Sequence, residues 1–288
     1  MKIVRAEKMG FCFGVASAIN SCYEVSKSTD SKKYILGMVV HNKNVVKEME
    51  EIGFEIVTEE ELLQGQDSLK AGDVVVVRAH GTTKEIYDIL ERKQVQIKDA
   101  ACVFVTRIRD ILIDQENRGD EIIFIGDKEH PEVKGIISFG KNVTIFKDLK
   151  ELKDGNLDRE KEYTLLTQTT LNTEKFKEIK EYLEKSYSNV KIFDRICGAT
   201  YERQRAAEKL ANAVDVVLVV GDRNSSNSKK LLEISKQHNS RSYLIQDENE
   251  IDFDWFKEAE VIGITAGAST PEKIILNIEN KIRGNFNV

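Results

Sequence analysis

One unit, a short strand running into a cysteine that opens a helix, is written three times in this chain, and nothing else constrains its fold as strongly. Val95 to Lys98 reads as a strand, passes through Asp99-Ala100-Ala101-Cys102, and gives way to an amphipathic segment from Phe104 to Arg118. Val190 to Phe193 leads through Asp194-Arg195-Ile196-Cys197 into a helix to about Ala213. Ile3 to Ala6 leads through Lys8-Met9-Gly10-Phe11-Cys12 into a helix to about Lys27. The three cysteines are 90 and 95 residues apart in a chain of 288. A helix N-terminus stabilises a thiolate, so each placement suits a metal ligand. A single cysteine there is more often a small buried hydrophobe; repetition is what changes the weighting.

Apolar runs of strand length alternate with helix-period segments along the rest of the chain, the pattern of a parallel α/β protein. Tyr34 to Val40 ends at His41-Asn42, Val74 to Val77 at Arg78-Ala79-His80-Gly81, and Glu121 to Ile125 at a loop ending His130-Pro131-Glu132. Tyr163 to Leu166 ends at Thr167-Gln168-Thr169-Thr170, Asp215 to Val220 at Gly221 to Ser228, and Val261 to Thr265 at Ala266 to Pro271. From each cysteine to the first of its polar loops is 29, 28 and 28 residues (His41, His130, Ser225), and to the second 68, 67 and 72 (His80, Thr169, Ser269). Only the last third lacks a closing strand, which Ile3 to Ala6 can supply. The spacing predicts three similar α/β lobes with mostly parallel sheets flanked by helices, pseudo-threefold about a central site. Their extents are 13–102, 103–196, and 1–12 with 197–283, followed by a flexible tail at 284–288. Ligands in such sheets bind beyond the carboxyl ends of the strands, where these loops lie. The charge-rich segments Thr58 to Gly72, Lys147 to Glu162 and Asp247 to Asp254 read as solvated surface connections.

Composition narrows the function. No apolar run approaches the ~20 residues of a membrane span. The net charge of −6 argues against sequence-independent nucleic-acid binding, which needs a strongly basic face. Four widely spaced cysteines do not form a secreted disulfide pattern, so a reducing, cytoplasmic setting is expected.

Cys12, Cys102 and Cys197 could hold zinc or an iron–sulfur cluster, and spacing alone names neither. Three protein ligands leave a fourth position open, as in catalytic sites. Cys22 has no counterpart in the other thirds and reads as packing. His41, His80 and His130 each close an apolar strand, whereas His238 reads as a surface residue. Asn224-Ser225-Ser226-Asn227-Ser228 ahead of a helix offers anion-binding groups, or simply an N-cap. Ser269 and Thr169 share that double reading. With few Lys or Arg in the loops, protonated histidines and neutral donors would have to carry the charge of a phosphate pocket. Glu132 is either a proton carrier or a first-turn glutamate complementing its helix dipole. A zinc hydrolase and a non-catalytic phosphate-ligand binder stay open at this level.

Taken together, these motifs resemble the 4-hydroxy-3-methylbut-2-enyl diphosphate reductases, the last enzymes of the methylerythritol phosphate route to isoprenoids. The resemblance runs in order through Gly10-Phe11-Cys12, Val39-Val40-His41-Asn42, Ala79-His80-Gly81, Asp99-Ala100-Ala101-Cys102, and His130-Pro131-Glu132-Val133-Lys134-Gly135. It continues through Thr167-Gln168-Thr169-Thr170-Leu171, Cys197 with Ala199-Thr200, Asn224 to Ser228, and Thr265 to Ser269. Members commonly carry Thr-Cys-Pro where this chain has Ala101-Cys102-Val103, and a larger residue than Gly198. Neither departure removes a ligand. Some members carry an RNA-binding-type extension, and none is expected here. The resemblance implies a [4Fe–4S] cluster on Cys12, Cys102 and Cys197 and an electron donor such as ferredoxin or flavodoxin. It implies a two-electron, two-proton loss of water giving isopentenyl and dimethylallyl diphosphates. It assigns His41, His80, His130, Thr169, Ser225, Ser226, Asn227 and Ser269 to the substrate, and Glu132 to proton donation.

Overall fold

The structure is a computed structural model describing residues 1–40 and 42–286. Its first strand, β1 (Lys2–Arg5), is followed by β2 (Lys33–Leu36), β3 (Phe54–Val57), β4 (Val74–Val77) and β5 (Gln96–Asp99). Then come β6 (Glu121–Ile125), β7 (Val143–Phe146), β8 (Tyr163–Thr167) and β9 (Val190–Ile192), and finally β10 (Val216–Val220), β11 (Ser242–Ile245) and β12 (Val261–Ala266). They form three four-stranded sheets, ordered β3-β2-β4-β5, β7-β6-β8-β9 and β1-β12-β10-β11, with every pairing among the described residues parallel. Read from its other edge, the third order is β11-β10-β12-β1. The N-terminal strand thus takes the place that β5 and β9 hold in the other two sheets. Lys2 to Arg5 pair with Val261 to Ile264, and the Arg5 guanidinium grips both oxygens of Glu279 on the helix Glu272–Phe286.

Central strands are apolar because helices cover both faces. Val75, Val76 and Val77 of β4, Ile123, Phe124 and Ile125 of β6, and all of β10 are without exposed surface. The chain divides into two compact units. The described residues of Met1–Ala16, His41–Val45 and Gly198–Val288 hold the sheet of β10; Ser17–Val40 and Val46–Cys197 hold the other two sheets.

Three expectations fail locally. Strand β2 stops at Leu36 instead of reaching Val40, because Gly37 adopts a left-handed backbone (φ +64°) and breaks the ladder. The segment from Thr58 to Gly72 is no mere solvated connection: Thr58 and Glu61 form a capping box on a helix, Glu59–Gln64, that buries Leu62. The segment after Lys147 likewise forms the helix Leu149–Asp154 and buries Leu152. At the C-terminus the last helix runs through Gly284 to Phe286, and the remainder of the expected tail, 287–288, lies outside the described residues.

Strands β10 and β12 are followed directly by Gly221 and Gly267, and the fully buried Ser228, on the helix Ser226–His238, sits against both. A Cβ on either glycine would lie 2.2 Å from Ser228 Oγ. Gly267→Ala should therefore lower the denaturation midpoint by an amount worth ~1–3 kcal/mol of overpacking. Adding Ser228→Ala should recover most of it, since the Ser228 Cβ itself stands 3.5 Å away. Equal losses in the single and double variants would show that the hydroxyl is not the obstruction.

Candidate active site

Each of the three repeated cysteines directly precedes a helix: Phe13–Ser28, Val103–Asn117 and Gly198–Ala211. Each is half-buried, whereas Cys22 is wholly buried, and burial pushes its thiol up to about 12. The Cys12 sulfur accepts the Val15 N–H at 3.4 Å, an N-cap contact made by a thiol. A common device holds all three. The backbone N–H of Cys12 donates to Ala268 O (3.2 Å), that of Cys102 to Ala79 O (2.9 Å), and that of Cys197 to Thr169 O (3.1 Å). Those carbonyls belong to, or immediately precede, Ser269, His80 and Thr169, the residues that the sequence offsets made equivalent. Each cysteine is therefore tied to the polar loop of the neighbouring strand by one hydrogen bond beyond the sheet.

In the unit holding β2 to β9, four candidate residues form one group. Thr169 N–H and Oγ1 donate to the two oxygens of Glu132, at 2.7 and 2.8 Å. Glu132 is 2% exposed. His130 is the N-cap of the helix Pro131–Ile137, its Nδ1 accepting the Glu132 N–H at 3.2 Å. The His80 and His130 rings meet edge to face with centroids 5.6 Å apart. Small residues allow this approach, for a Cβ on Gly135 would lie 3.1 Å from Thr82 O.

In the other unit, Ser225 caps the helix Ser226–His238 by accepting the Ser228 N–H at 3.3 Å. Ser225, Asn227 and Ser269 are all buried, and Ser226 is partly exposed. Asn227 Nδ2 is buried and, among the described residues, has no hydrogen-bond partner. A buried amide without a partner in the first turn of a helix carries a desolvation cost. His41 lies outside the described residues.

The residues fit an iron–sulfur cluster in their donor chemistry: three half-buried thiols at helix N-termini, one already receiving an N–H at sulfur. Among the described residues no group of three or more His, Cys, Asp or Glu side chains could hold a single metal ion. No described helix is long and apolar enough to cross a membrane.

Comparison with known proteins decides the family: the model for LytB protein matches residues 3–283. The chain belongs to the LytB family. A 4-hydroxy-3-methylbut-2-enyl diphosphate reductase of Fusobacterium nucleatum is 54% identical over 285 residues. That match takes in 99% of this chain and 34% of the relative, so the chain spans about a third of that protein's length. The reductase of the same name from Caldanaerobacter subterraneus is 38% identical over 284 residues, 98% of this chain and 97% of the other. The solved structure of the E-1-hydroxy-2-methyl-but-2-enyl-4-diphosphate reductase of Plasmodium falciparum superposes with a TM-score of 0.91 at 28% identity, covering 98% of this chain and 88% of that one.

Two features of this LytB chain depart from, or escape, its sequence. His130 serves as a helix cap, its Nδ1 accepting the Glu132 N–H, a use that its place at a strand end did not announce. Arg203 is buried and donates to Gly10 O (2.7 Å) and Ala199 O (3.0 Å), holding the turn before Cys12. Its position mid-helix gave no signal of this.

Burial holds the Glu132 carboxyl above the ordinary glutamate range, against the two Thr169 bonds that favour the ionised form. Its folded pKa therefore exceeds its unfolded one. Stability from this group is complete below the ordinary value of 4.5 and is lost as pH rises through the folded value. Glu132→Gln, which cannot ionise, should match the unsubstituted chain in acid and become progressively more stable than it towards neutrality. Denaturation midpoints of both metal-free chains across that range provide the check; a pH-independent difference would contradict it.

Proposed function

We propose that this chain reductively dehydroxylates 4-hydroxy-3-methylbut-2-enyl diphosphate, giving isopentenyl and dimethylallyl diphosphates with the uptake of two electrons and two protons and the loss of water. The observation that carries this assignment is the shared tie of each cysteine to a polar loop, which couples three thiol ligands to Ser269, His80 and Thr169. Cys12, Cys102 and Cys197 would hold a [4Fe–4S] cluster. When bound, that cluster supplies electrons one at a time and an iron with no protein thiolate. An external donor such as ferredoxin or flavodoxin would reduce it, in the cytoplasm.

The remaining work falls to the chain's own side chains. Asn227 offers a buried N–H with no other acceptor among the described residues, and Ser225, Ser226 and Ser269 add hydroxyls around it, which suits a diphosphate. His80, His130 and His41 would bind the substrate's polar end by hydrogen bonding, His130 donating from Nε2 because Nδ1 is already an acceptor. Glu132 is placed to store a proton, since burial favours its neutral form. Thr169 Oγ1, 2.8 Å away, can take that proton while passing its own outward. The buried carboxyl thus reaches the substrate through one hydroxyl and needs no water.

Anaerobically purified protein should contain iron and acid-labile sulfide. Cys102→Ser should lose them, while Cys22→Ser, changing a buried thiol tied to no strand-end loop, should keep them. Equal loss in both would show that the wrong cysteines have been chosen; zinc without sulfide would replace the reductase with a hydrolase.

Glu132→Gln should retain iron and bind substrate but turn over more slowly by ~10²–10⁴-fold, the usual contribution of a positioned general acid. A raised KM with unchanged kcat would instead make Glu132 a binding group.

A further inference from the structure

We propose that Glu59, on the helix inserted between β3 and β4, is a positioning residue for His80, acting through Arg78 and Thr82. It rests on the assignment of His80 to the substrate. Arg78, just past β4, and Thr82 bracket His80 two residues to either side, and both reach the same carboxylate oxygen. Arg78 Nη2 lies 2.5 Å from Glu59 Oε1, and Thr82 Oγ1 donates to it at 2.6 Å. Arg78 also turns back on its own loop, Nε donating to Gly81 O at 3.1 Å. Gly81 has a left-handed backbone (φ +72°), and its N–H donates to Arg78 O at 2.9 Å, so the turn bearing His80 is closed twice. The guanidinium further lies over Gly37, where a Cβ would come within 2.9 Å of Nη1.

The helix itself has no need of this carboxylate. Thr58 and Glu61 already satisfy its N-terminus through a capping box, leaving Glu59 directed at the turn. Nor does stability call for the pair. The Arg78 and Glu59 side chains are only 14% and 30% exposed, and an ion pair so desolvated contributes little net stability over apolar packing. What it does supply is geometry: one carboxylate fixing both shoulders of the His80 turn. The Cys102 N–H to Ala79 O bond then places that turn against a cysteine. A segment that reads as a solvated connection in this way buttresses the turn bearing His80.

The test is a double-mutant cycle on the cluster-loaded enzyme, reading kcat, KM for 4-hydroxy-3-methylbut-2-enyl diphosphate, and iron per chain for Glu59→Ala, His80→Ala and the pair. Glu59→Ala should raise KM ~10-fold, the scale of a displaced binding group, with iron content kept. In the His80→Ala background the same change should add no further rise. Glu59→Gln, which keeps shape and the Thr82 contact but loses charge, should shift KM in the same direction by less, and it carries the cycle if the alanine variant does not fold. An unchanged KM in Glu59→Ala, or an equal rise with and without His80, overturns the positioning role while leaving the reductase assignment intact. Should His80→Ala alone leave kcat and KM unaltered, the substrate assignment of His80 falls, and this inference with it.

Discussion

Everything distinctive about the site depends on a backbone hydrogen bond made just after a strand has ended. In a parallel sheet the edge strand donates N–H groups to its neighbour, and here that donation continues past the last ladder pair to a cysteine. Ala100 N donates to Val77 O and Cys102 N to Ala79 O; Gly10 and Cys12 repeat this with Ala266 and Ala268, and Phe193 and Cys197 with Leu165 and Thr169. Because the sheet fixes the register, the cysteine cannot move independently of the loop beside it. Each cysteine and the polar loop beside it are thereby locked together by main chain, which no side-chain substitution can remove directly.

The same rigidity explains how Glu132 can be buried. A carboxyl with almost no exposure would ordinarily be unfavourable, because burial penalises its charged form. Here both oxygens are met by one residue, Thr169, whose carbonyl in turn accepts the Cys197 N–H. The Thr169 N–H is fixed by the main chain, while its hydroxyl can turn from donor to acceptor when the carboxyl is protonated. The neighbouring His130 contributes its Nδ1 to cap the Glu132 N–H, so its ring orientation is tied to the helix that carries the carboxyl.

Much of this was legible in the sequence because the periodicities were long and repeated. Uninterrupted Val and Ile runs identify strands covered on both faces, and closely similar offsets from three cysteines identify the loops that must correspond. The circular completion of the third sheet by Lys2–Arg5 followed from a missing strand alone. What stayed hidden lacks a repeat. Glu59 and Arg78 are 19 residues apart with no helical or strand spacing to relate them, and the pairing exists only because β3 and β4 lie on opposite sides of β2. Gly37 truncates β2 through a backbone angle that an apolar run conceals. His130 is singled out in the sequence for closing an apolar strand; its use as a helix cap depends on a ring orientation that composition cannot convey.

A balance between order and incompleteness runs through the strand ends. Gly221 and Gly267 admit Ser228 between them at a distance no Cβ would allow, and that packing sets the start of the helix carrying Ser226 and Asn227. Yet Asn227 Nδ2 and Ser228 Oγ remain without partners among the described residues. A fold selected for stability alone would satisfy or remove such groups, since each buried orphan costs ~1–3 kcal/mol. Under the proposed function an anionic substrate would supply the acceptor for Asn227 Nδ2, whereas Ser228 Oγ is enclosed between the two glycines. Affinity then comes from groups already in place, with little ordering left to oppose it.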